Sequence, residues 1–153
     1  MNFLKFGYVV LALAFLPALR ASEKEDPMVG KWEGSAHVVV QWCAQSELFV
    51  SIDIAADGKV TGKVGDSVLV NGQLRKKNGW FGGKSEDRTT HIIKADLKGD
   101  IVNAEGIIRE EVFIHVKFEN HGMSGSVGTS GAKAGGKEKM ALTAYPLRLS
   151  KVE

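Results

Sequence analysis

The chain has one cysteine, Cys43, in 153 residues, so no internal disulfide is available and the fold must be held by its packed interior. It has three prolines, too few for a proline-rich spacer. No apolar run approaches the roughly 18 residues that span a bilayer as a helix. An excess of charge of one sign is also lacking: 20 basic residues face 18 acidic ones, and both extra positives, Lys5 and Arg20, lie in the first 21 residues. A basic stripe of the kind that tracks nucleic acid is therefore missing, and no nucleic-acid partner is expected. Beyond residue 21 no segment carries a convincing helical period, which leaves strands as the building material.

What is present begins with the leader. Lys5 supplies a positive start, Phe6 to Leu16 an apolar centre, and Pro17 to Ala21 a cleavage region, the layout of a secretory signal peptide. Residues 1–21 are expected to be removed, with a cut after Ala18 as the alternative. Cys43 lies too far downstream for a lipoprotein pattern. The product is expected to be exported to the periplasm or the extracellular space, with no membrane span. A short polar leader, 22–28, then precedes one domain over 29–153. Removing Lys5 and Arg20 brings the formal charge to zero.

The stretch "VGKWEGSAHVVVQW", Val29 to Trp42, alternates. Trp32, Gly34, Ala36, Val38, Val40 and Trp42 share one parity, and Lys31, Glu33, Ser35, His37 and Gln41 share the other. Because strand side chains alternate faces, this is a strand with one buried and one wet side. Leu48, Val50, Ile52 and Ile54 repeat the pattern. After Asp57-Gly58, a hairpin turn signal, come Val60, Gly62 and Val64. After Gly65-Asp66 come Val68, Val70, Gly72 and Leu74 on one inferred face. "TTHIIKADL" forms a strand of open phase, "IVNAEGII" returns, and "EVFIHVKF" puts Val112, Ile114, Val116 and Phe118 inward. "MSGSVG" and "KMALTAYPLRL" complete the set. Gly34, Gly62, Gly72, Gly106 and Gly125 fall inside strands, where glycine weakens a strand unless it permits a bend or close approach; small barrels need such bends. The predicted fold is all-β, a small antiparallel up-and-down barrel of about eight or nine strands.

"GKW" at Gly30 to Trp32, opening the first strand, and "ADGKVTGKV" after it, resemble the calycins, the lipocalin and avidin-like β-barrels. The resemblance implies that Trp32 plugs the closed end of a barrel and that a basic residue from the last strand lies across it. Arg148 in "PLRLS" is at the place along the chain where that residue is expected. Leu147 and Leu149 share the inward phase, which turns Arg148 outward unless Pro146 introduces a bulge. The biotin-binding pattern of the avidins does not carry over, since Gly34 and Val38 stand where polar residues belong and no tryptophan follows Trp80.

Chemistry is sparse. The histidines His37, His91, His115 and His121 lack zinc-type spacing, and His37 and His115 read as solvated strand residues. "GAKAGGKE" imitates a phosphate loop, but Glu138 replaces the required Ser or Thr and no helix follows. Cys43 reads as an apolar filler. The strongest lead is "KKNGWFGGKSEDRTT", Lys76 to Thr90, where Trp80 and Phe81 stand between glycines in a polar connection that is long for one without a task. These aromatics either cap a barrel mouth over a ligand, dock a partner, or fold back as a plug. Trp42, at the far end of the first strand from Trp32, is expected at that same mouth. Phe49 and Phe113, on outward parity, are either partner contacts or packed under a neighbouring loop.

The resulting expectation is a non-enzymatic, lipocalin-like carrier of a small apolar or amphipathic molecule, without cofactor or metal, with Trp42, Trp80 and Phe81 as ligand contacts and Trp32 and Arg148 as structural residues. Val38, Val40, Val50, Ile52, Val70, Ile114 and Val116 line either a cavity or a solid core. The alternative is a protein-binding module or enzyme inhibitor acting through loops and exposed aromatics.

Overall fold

A computed structural model describes residues 26–40, 43, 45–77, 90–99, 101, 107–133 and 141–153, with side chains for all of these except 107–110 and 132–133. Its strands are β1 (Gly30–Val38), β2 (Glu47–Ile54), β3 (Lys59–Val64), β4 (Ser67–Lys77), β5 (Thr90–Lys98), β6 (Ile107–Glu119), β7 (Gly122–Lys133) and β8 (Leu142–Lys151). Each pairs antiparallel with the next, and β8 pairs with β1, so the sheet closes on itself as an eight-strand up-and-down barrel. Among the described residues there is no helix, and hence none long and apolar enough to cross a membrane.

Alternation decides which face is buried. Along β2, Leu48, Val50, Ile52 and Ile54 are buried, while Glu47 and Phe49 are exposed. Along β6, Val112, Ile114 and Val116 are buried in the order the sequence predicts. β5 takes its phase from Ile93 and Ala95, both buried, with Lys94 and Asp96 outside.

β4 departs from the predicted phase. Ser67 and Leu69 point inward and Val68 and Val70 outward, Val70 being 37% exposed, so Val70 does not line the interior. The reason is a bulge. The β4 register shifts by one residue against both neighbours, between Val60 and Lys63 of β3 and, against β5, between Val70 and Gln73 of β4 itself. Asn71 sits there with φ of 56° and its amide donates to Asp96 Oδ2 at 2.9 Å. One extra residue inverts every side chain before it relative to those after it. A second bulge, at Tyr145–Pro146 of β8, shifts the register against β1 and β7.

Two interior glycines are demanded by strand coiling. A Cβ at Gly34 would stand 1.8 Å from the Arg148 carbonyl oxygen, and one at Gly125 would stand 1.8 Å from that of His115. The backbones of neighbouring strands come together there, which only glycine permits.

Candidate functional site

The barrel has two ends of different character. The start of β1, the β2–β3 turn, the β6–β7 turn and the end of β8 gather at one of them. Trp32 seals this end. Its ring is 0% exposed, its Nε1 donates to the Met28 carbonyl at 2.8 Å, and Phe118 meets it edge-on at 5.9 Å. The indole thus keeps its one polar atom satisfied while the rest is packed. Met28, expected in a polar leader, is itself buried. Its amide is held by Asp26 Oδ1 at 2.9 Å, so residues 26–29 form a turn that belongs to the barrel.

The basic residue across Trp32 is Lys151, not Arg148. Lys151 Nζ stands 5.6 Å from the centre of the Trp32 ring, within reach of a cation–π attraction. Arg148 is exposed between buried Leu147 and Leu149. The Pro146 bulge does occur, but it lies before Leu147 and leaves the phase of Leu147, Leu149 and Lys151 intact. Inward parity alone would have selected Lys151.

Between the two ends the described inward side chains pack against one another. Ala36, Leu48, Val50, Ile52, Val64, Ile93 and Val112 and their neighbours form one contiguous buried cluster. Val50, Val64, Ile93, Ile114 and Leu147 keep no surface open to water. Side chains of this size suffice to fill an eight-strand barrel. Two interior polar side chains are satisfied, Ser67 donating to the Gly99 carbonyl and Thr129 Oγ1 accepting from the Leu142 amide, whereas His91 Nδ1 is buried with no hydrogen-bond partner among the described residues.

Trp42, Trp80 and Phe81 lie outside the described residues, as does most of "GAKAGGKE". The strand ends on either side of them are described. In an up-and-down meander each turn reverses direction, so the β1–β2 and β4–β5 connections leave from opposite ends. Lys77 and Thr90 therefore stand at the Trp32 end, and Val40 and Cys43 at the other.

The histidines are not equivalent. His37 is exposed, whereas His91 and His115 are half-buried, so His115 is not the solvated residue the parity suggests. Burial pushes both imidazoles below their usual value; nearby Lys76 reinforces this at His91 against the pull of Asp26, and Lys77 reinforces it at His115. Among the described residues no group of three or more His, Cys, Asp or Glu side chains converges as a metal site would require.

The outer wall carries what the interior does not use. Phe49 on β2 is 52% exposed, opposite Ser35 on β1, which is opposite Arg148 on β8. One row along, His37 lies between Glu47 and the Tyr145–Pro146 bulge, where Tyr145 is 60% exposed. Val39, 52% exposed, lies further along, its amide N–H donating to the Thr143 carbonyl. Side chains opposite each other on adjacent strands are about 5 Å apart, so Phe49 on β2 and Tyr145 on β8 flank β1 from either side, with Val39 beyond and Arg148 beside Ser35.

No known family model, curated protein or solved structure matches the chain.

Proposed function

We propose that the chain is an exported, non-enzymatic binding module of calycin type that meets a protein partner on its outer wall, across β8, β1 and β2. The observation that carries this reading is the pairing of a packed interior with two exposed aromatics, Phe49 and Tyr145, on one face. Aromatic and arginine side chains supply the binding energy of protein interfaces out of proportion to their number, and Phe49, Tyr145 and Arg148 provide both types. Large apolar side chains gathered on a surface mark interaction sites more often than those scattered singly. The calycin assignment draws its support from the closed eight-strand meander and from Trp32 with Lys151 across it.

The test is a double variant, Phe49→Glu with Tyr145→Glu. Both side chains point outward, so the unfolding midpoint should stay near wild type. Retention of a specific partner from envelope or secreted extracts should be lost. Retention of the same protein by the folded variant would overturn the reading. Saturable quenching of tryptophan fluorescence by retinoids or haem, unchanged in the double variant, would return the working site to the barrel interior.

A further inference from the structure

A different part of the outer wall carries a groove of about 330 Å³, lined by Arg75, Lys76 and Lys77 of β4, Ile92 and Lys94 of β5, and Phe113 of β6. Its size falls at the small end of the range for small-molecule sites, roughly 300–1,000 Å³. The register explains how it forms. Arg75 is opposite Ile92, Lys94 is opposite Phe113, and Phe113 and Ile92 are diagonal neighbours on the same face. Ile92 and Phe113 are half-buried and form the floor; Arg75, Lys77 and Lys94, exposed on the outward face, form the rim, while Lys76, also exposed and bordering the groove, has the opposite parity and stands opposite His91.

The four cations differ. Lys94 is already engaged, 2.8 Å from Glu111 and 5.4 Å from the centre of the Phe113 ring. Arg75 and Lys77, two residues apart, share the outward face at the end of β4, and among the described residues no carboxylate pairs with them. Like charges on one face repel, and an anion placed between them relieves that repulsion. The apolar floor beneath them is recessed, which suits a chain lying in the groove better than a flat bilayer, since membrane contact requires protruding apolar side chains.

We propose that this groove binds a soluble amphipathic anion, an acyl chain of medium length lying on Ile92 and Phe113 with its carboxylate or sulfate head between Arg75 and Lys77. The site lies away from β8, β1 and β2, and the proposal stands whether or not a protein docks there.

Decanoate, used below its micelle concentration, is the probe, with decanol as its uncharged counterpart and acetate as the head without the tail. Calorimetric titration of the full exported chain should give saturable one-to-one binding of decanoate, at least tenfold weaker binding of decanol, and none of acetate. Replacing Arg75 and Lys77 together by Gln should weaken decanoate about tenfold, two exposed charges each contributing a modest amount, and leave decanol unchanged. Ile92→Thr keeps a β-branched strand residue and should weaken both ligands. Phe49→Glu with Tyr145→Glu should change neither, which separates this site from the protein-binding face. Absence of saturation, equal decanoate binding by the folded Arg75→Gln, Lys77→Gln variant, or binding seen only with anionic phosphatidylglycerol vesicles would each overturn the proposal.

Discussion

At the scale of single residues, Trp32 is the most demanding position. Fully buried, with its Nε1 bonded to Met28, it should cost about 3–5 kcal/mol when replaced by Ala, through lost burial and a cavity. Chemical denaturation measures this directly. Lys151→Met, which keeps the aliphatic stem over the ring and removes only the charge, should cost less than about 1 kcal/mol. The role of Trp32 was legible because its parity and flanking glycine are local properties of the sequence. The residue across it was not, because Arg148 was chosen by analogy with a family while parity pointed to Leu147, Leu149 and Lys151, one and three residues away. His91 and His115 were legible as strand residues but not as half-buried ones, since burial and the charges of Asp26, Lys76 and Lys77 that act on them come from parts of the chain distant in sequence. Their titration has a definite sign. With the folded imidazoles held below their ordinary 6.5, the unfolded chain takes up protons first as pH falls. The stability they contribute is complete above about pH 6.5 and declines below it. Urea midpoints measured from about pH 7 to 5 should therefore fall, and the fall should shrink when both are replaced by Gln. The carboxylates Asp57 and Glu119, held low by Lys59 and Lys117, act only at more acidic pH.

At the scale of elements, two devices shape the strands. The bulge at Asn71 inverts half of β4, and its left-handed backbone tolerates Asn or Gly far better than a β-branched residue. Asn71→Val should cost about 1–2 kcal/mol, and Asn71→Gly no more than about 0.5 kcal/mol. Thermal unfolding of the two variants side by side tests this, and equal losses would mean that the backbone conformation is not what matters. The second device is close approach. Gly34→Ala drives a methyl into the Arg148 carbonyl, whereas at Gly128 the nearest atoms to an added Cβ are 4.0 Å away. The first change should cost about 1–3 kcal/mol and the second under about 0.5 kcal/mol. Glycines inside strands pointed to such approaches in advance. The bulge did not announce itself, because Val68, Val70, Gly72 and Leu74 make an unbroken period of two that is locally as good as the true arrangement. Only pairing with β3 and β5 chooses between them.

At the scale of the whole molecule, the architecture was readable because it repeats one instruction: alternate, turn, alternate. What the barrel contains was not, because filling is a sum of volumes over all eight strands and no segment carries it. Ile114→Ala at the centre should cost about 2–5 kcal/mol if the interior is as close-packed as its burial indicates. A loss below about 1 kcal/mol would point to slack inside. Closure also joins the most distant parts of the described chain: Trp32 on β1 is paired with Lys151 on β8. Such a contact closes a very long loop, and chains dominated by distant pairings fold in milliseconds to seconds rather than microseconds. Until that seam zips, the nascent sheet has two bare margins able to recruit a second molecule; afterwards it has none. The hazard of clumping is therefore confined to the interval before the ring is sealed, and changes that hinder the seam, such as a side chain at Gly34, should lower the yield of refolding at high concentration more than they lower the stability of the finished protein.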